Sequence, residues 1–158
     1  MNITISYQSL YEEVSRSLSI IAKRSVDDNG VPLFKDITLS SREQEIITDY
    51  FRQAVLDIVA AAAAFVTDNS DNAITIVLDM PKNHRSSLDG FIRKTCDAYC
   101  ISYALYSWLF ITAPRIAPRY KDDCKRQMST LVRFLHEKEP PQGDEDIMST
   151  TTSVTPNT

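Results

Sequence analysis

Glycine is scarce in this chain, with three residues in 158, and histidine is scarcer still, with two. Gly30, Gly90 and Gly143 stand far apart. They build no glycine-rich loop of the kind whose backbone amides cradle a phosphate, so the common nucleotide chemistries are excluded. His84 follows a strand-ending proline and His136 sits among charges, which leaves little to serve as base for an activated nucleophile. Cysteine is sparse too. Cys96, Cys100 and Cys124 are an odd set on helical sequence, which argues against a secreted disulfide framework and for a reducing compartment in which they stay thiols. Long apolar runs are also missing. The strongest, residues 98–113, is interrupted by Ser102, Ser107 and Thr112 and falls short of the roughly 20 apolar residues that a membrane span requires, so it reads as a buried core helix. Residues 1–6 carry neither a basic start nor a continuous apolar stretch and do not resemble a secretory signal.

What is present is helical periodicity. A chain of this length fits one domain, able to bury roughly 70% of the surface that its unfolded form exposes. Tyr7, Leu10, Val14, Leu18 and Ile21 predict a first helix near 8–25, opened by a Ser9/Glu12 capping box and closed by the turn formers Asp27, Asp28, Asn29 and Gly30. Pro32 and the β-prone Ile37-Thr38-Leu39 make 31–39 an extended connection. A second capping box, Ser40/Glu43, opens a helix near 41–66 with Ile47, Tyr50, Phe51, Ala54, Ile58, Ala61 and Phe65 on one face, and the alanines of 60–64 extend it by propensity.

Residues 68–72 read as a turn. Residues 73–80 alternate Ile74, Ile76, Leu78 and Met80 with Thr75, Val77 and Asp79, the pattern of a half-buried strand. One strand needs a partner, and the candidates are residues 3–5, the 33–39 segment, or a strand from another copy. A third helix near 87–112 is apolar nearly all round, from Phe91 and Ile92 through Tyr99, Tyr103, Tyr106 and Trp108 to Phe110, which marks a central element. Pro114 and Pro118 precede a fourth helix near 117–138, striped by Tyr120, Cys124, Met128, Leu131 and Leu135. The expected fold is therefore mainly α: a four-helix core over 1–141 with a minor β element in a 68–86 excursion. An acidic Ser/Thr-rich tail over 142–158 has nothing to bury and is expected to be disordered.

Charge is unevenly divided. Residues 1–80 hold 6 basic and 12 acidic side chains, residues 81–139 hold 11 and 6, and the tail adds 3 acidic ones. Scatter over a solvated surface is one account of this. Another is an acidic face of one copy meeting a basic face of the next, which would set orientation. The candidate subunit interface is Arg115, Arg119, Lys121, Lys125 and Arg126, with Ile74, Ile76 and Leu78 as a strand-pairing alternative. The basic set is also a candidate for nucleic acid backbone, but Asp122 and Asp123 interleave with it and no sequence-specific binding is expected.

Cys96 and Cys100, four apart, share a helical face and nominally meet a metal with Cys124, His84 or His136, but the spacing matches structural zinc patterns poorly and buried cysteines serve as small apolar side chains. The acidic pairs Glu12-Glu13, Asp27-Asp28 and Asp122-Asp123 fall at helix starts or turns, where they complement dipoles. No acid, base and nucleophile converge, so no enzyme, metal or cofactor is expected.

Several segments in order resemble the head–tail connector, or head-completion, proteins of tailed bacteriophages and prophages: Leu18 to Arg24, the long second helix, residues 74–80, Ala98-Tyr99-Cys100 through Trp108-Leu109, and Ala117-Pro118-Arg119-Tyr120 leading to Leu131 through Leu135 before Pro140-Pro141. The likeness covers most of 8–141 as pattern and element order. It implies a non-enzymatic homo-oligomeric ring between portal and tail, made in the bacterial host cytoplasm and carried in the virion, with portal and neck or tail proteins as partners and no membrane. The strand and the 68–86 excursion depart from the simplest all-helical connectors, and such an excursion would reach a neighbouring ring component. The competing expectation is a small regulatory module of a mobile element that docks one partner protein through the Trp108 neighbourhood or the basic fourth helix.

Overall fold

A computed structural model describes residues 1–31, 33–34, 37–69 and 75–139. Among the described residues, four helices and a three-stranded antiparallel sheet surround one core, in the order β1 (Asn2–Thr4), α1 (Tyr7–Arg24), α2 (Gln44–Ala61), β2 (Val66–Asn69), β3 (Thr75–Leu78), a 3-10 turn at Ser86–Leu88, α3 (Asp89–Thr112) and α4 (Ala117–His136). The mainly α fold with a minor β element is the one the periodicities predict. The tail over 142–158 and Ile74 lie outside the described residues.

Local chemistry sets most boundaries. Helix α1 starts two residues before the expected capping box, because Ser6, not Ser9, is the cap: its hydroxyl accepts from the Ser9 amide at 3.4 Å. Tyr7 is thereby drawn into the helix and stacks on Phe51, with ring centroids 5.9 Å apart. Glu12 accepts instead from the Gln8 side chain at 3.0 Å. At the other end, Asp27 Oδ1 accepts from the amides of Asn29 (2.9 Å) and Val31 (2.8 Å), while Gly30 takes φ +76°, a left-handed conformation that glycine adopts without penalty. Before α2 one arm of the second capping box forms, with the Ser40 amide donating to Glu43 Oε2 at 2.8 Å.

Helix α2 ends at Ala61, short of the expected 66. The amides of Phe65 and Val66 both turn back to the Ala62 carbonyl (2.8 and 3.2 Å), Phe65 meets the His136 ring edge-on at 5.1 Å, and Val66 pairs with Leu78. Alanine propensity is a weak preference that this pairing overrides. Residues 66–69, expected as helix end and turn, are therefore strand β2.

The sheet order is β1-β3-β2, so β3 is central. Ile3 lies opposite Ile76 in the β1/β3 register, and the Leu78 amide donates to the Met1 carbonyl at 2.8 Å. Of the expected partners of β3, the 3–5 segment supplies one edge, as β1 over Asn2–Thr4; the other edge is taken by β2, which was not among them. The 37–39 segment supplies neither. Ile37 is buried instead, and its carbonyl accepts from Trp108 Nε1 at 2.8 Å.

Helix α3 is central, packing on α1, α2 and α4. It buries Ile92, Cys96, Cys100, Ala104, Leu105, Trp108 and Leu109. Its apolar character all round does not mean burial all round, since Phe91, Phe110 and Ile111 are 57%, 62% and 69% exposed. Among the described residues no helix is long and apolar enough to cross a membrane.

Candidate functional site

The structure splits the basic residues of α4 between two grooves, one on each flank of the helix. Positions Ala117, Cys124, Leu131 and Leu135 face the core. At 100° per residue the side chains of Lys121, Lys125 and Met128 fall to one side of that stripe, and Arg119 and Tyr120 to the other.

On the first side, α3 and α4 enclose a groove of about 450 Å³ lined by Tyr99, Tyr103, Tyr106, Lys121, Lys125 and Met128, among others. The tyrosines recur at i, i+4 and i+7, and Phe110 continues the row, giving Tyr99–Tyr103 and Tyr106–Phe110 centroid separations of 6.1 and 5.9 Å. The Tyr99 hydroxyl is fixed by donating to Asp57 Oδ2 at 2.9 Å. Lys121 Nζ stands 5.9 Å from the Tyr106 ring centroid, within cation–π range. Lys125 has only a long, exposed contact with Asp122 at 3.8 Å, of a kind worth little. Tyrosine and methionine are enriched in protein docking surfaces, and lysines at the edge of such a surface act by steering rather than as its core.

On the second side, the end of α1, the α3–α4 turn and the first turn of α4 enclose a recess of about 550 Å³. It gathers Arg24, Arg115 and Arg119 around Ile20, Ile116 and Tyr120. Arg115 and Arg119 belong to the candidate set read from the sequence; Arg24 was outside it. Arg115 and Arg119 are four residues apart, but Arg24 is distant in sequence, and only the packing of α1 beside the α4 N-terminus brings it to them. Arg126 lines neither groove. It turns outward and pairs with Asp123 at 2.6 Å.

Ile76 and Leu78 are not available to a second copy. They are 0% and 1% exposed, and β3 is hydrogen-bonded along both edges within its own sheet. The strand-pairing interface is therefore corrected: alternation marked a half-buried strand, but the sheet is completed inside the chain. Trp108 is likewise enclosed, at 9% exposure, so it cannot serve as a partner anchor.

The cysteines are all buried and free. Burial pushes the thiols of Cys96 and Cys124 up to about 12, and that of Cys100 further in the same direction, the opposite of an activated nucleophile. Iodoacetamide at pH 8 is expected to label none of the three in the folded protein and all three in denaturant. Melting temperature should also fall once pH passes about 9, the ordinary thiol value, and continue falling toward 12, because the unfolded chain releases these protons first. Ready labelling of the native protein, or melting insensitive to this pH range, would place the thiols at the surface.

His84 offers the one other chemically suggestive arrangement. Its side chain is 6% exposed, Nε2 lies 2.8 Å from Asp89 Oδ1, and Nδ1 is buried without a partner. The adjoining recess is only about 80 Å³, room for water but not for a substrate, and no serine, threonine or cysteine lines it. Among the described residues no group of three or more His, Cys, Asp or Glu side chains is placed to hold a metal. No protein family, curated protein or solved structure matched this chain.

Proposed function

We propose that the protein is a non-enzymatic assembly adaptor that works as a homo-oligomer between portal and tail, as its resemblance to phage head–tail connectors implies. The observation that carries this reading is the α3–α4 groove, where the half-buried rings of Tyr103 and Tyr106 are flanked by Lys121 and Lys125. Such a surface suits the acidic 1–80 half of a neighbouring copy, where Glu12, Asp28 and Glu45 stand exposed. Phe110, exposed at the end of the tyrosine row, extends its apolar area, and contiguous apolar surface of this kind marks contact sites.

Light scattering with negative-stain imaging, alone and with a portal protein, tests the reading. Rings are expected, and Lys121→Glu with Lys125→Glu should abolish them while circular dichroism stays unchanged, since exposed lysines contribute little to the fold. Association should also weaken with salt, as the Debye length shrinks from about 10 Å at 0.1 M to about 3 Å at 1 M. A chain that stays strictly monomeric with and without portal would overturn the ring and favour a regulatory module docking a single partner.

A further inference from the structure

The geometry points to the recess between α1 and α4 as a binding site for an oligophosphate-bearing small molecule, held by Arg24, Arg115 and Arg119. Three exposed arginines line one concavity, and no acidic side chain lines it. None of the three has an ion-pair partner among the described residues; Arg42, Arg93 and Arg133 have none either but do not share a concavity, whereas Arg16, Arg52, Arg85 and Arg126 each have one. Like charges gathered without a counter-ion repel one another, and a dispersed arrangement would avoid that cost. An anion carrying two or more charges relieves it.

The residue type narrows the ligand. All three cations are arginines, whose planar forks match the paired oxygens of phosphate, and a point-charge lysine is absent from the wall. The hydroxyls of Ser17 and Ser25 add donors at the α1 side. Ile20, Ile116 and Tyr120 form an apolar shoulder beside the arginines, suited to a planar or hydrocarbon group attached to the phosphates. At about 550 Å³ the recess lies within the range of small-molecule sites. This is binding by side-chain forks and needs none of the glycine-rich backbone that the sequence lacks. It is also separate from the α3–α4 groove, so it stands or falls independently of ring formation.

Calorimetry and thermal melting of the full chain, with inorganic pyrophosphate, tripolyphosphate, citrate and chloride at matched ionic strength, test the assignment. Saturable binding and a raised melting temperature are expected with pyrophosphate and tripolyphosphate, weaker effects with citrate, and none with chloride. Arg119→Gln should weaken pyrophosphate binding by about tenfold or more, the loss of one charge-assisted contact. Arg115→Gln with Arg119→Gln should abolish it while leaving the ligand-free melting temperature equal or higher, because repulsion is removed. Absence of saturable binding, an equal response to citrate, or binding that survives the double substitution would each overturn the phosphate site.

Discussion

Ile76→Asp is expected to leave little folded protein. Ile76 is fully buried in the middle strand, opposite Ile3, where a carboxylate would be cut off from water. An unpaired buried charge of this kind costs at least about 4 kcal/mol, against a total stability on the order of 5–15 kcal/mol. The conservative change Ile76→Val, which removes one methylene, should cost only about 0.5–1.5 kcal/mol. Urea unfolding followed by circular dichroism would measure both. Were Ile76 an interface residue, the aspartate variant would melt like the parent and lose only its assembly, so a normal melting curve would refute the core placement.

Trp108→Ala carries the second large effect, about 3–5 kcal/mol. The indole fills the space between α3 and the connection before α2, and its Nε1 donates to the Ile37 carbonyl at 2.8 Å. Truncation therefore leaves a cavity and an unpaired buried carbonyl at once. For a domain of this size each kcal/mol lowers the melting temperature by about 2–4 °C, so a fall on the order of 10 °C is expected. Trp108→Phe keeps one aromatic ring but loses the hydrogen bond and part of the indole volume, and should cost less, about 1–2 kcal/mol. If Trp108→Ala melted normally while binding of a partner disappeared, the residue would be an exposed anchor instead.

The unequal readability of the chain follows from the range of the interactions involved. The four helices are legible because Leu10, Val14 and Leu18, or Cys124, Leu131 and Leu135, repeat at a spacing that only a helix places on one face. The turn at Asp27 to Gly30 is legible because its hydrogen bonds join residues two to four apart. Strand β2 was not, since Val66 is β-branched but sits in a run otherwise favourable to helix. Its pairing with Leu78, twelve residues on, outweighs what its neighbours prefer. The α3 aromatics differ in the opposite sense: Tyr103, Tyr106 and Phe110 look like core by composition, but the packing of α4 on α3 leaves the two tyrosines lining a groove and Phe110 exposed.

Composition and periodicity by themselves determined the mainly α class, the half-buried character of the 75–78 strand, the burial of Trp108 and the lack of a glycine-rich phosphate loop. These are local properties of residue type and spacing. The tertiary structure alone decided that β3 is closed on both edges, that Arg24 joins Arg115 and Arg119, and that Lys121 and Lys125 part from Arg119 across α4. Each of these depends on which surfaces of distant segments meet when the apolar stripes are buried together, a choice made by packing over the whole chain and written in no single stretch of it.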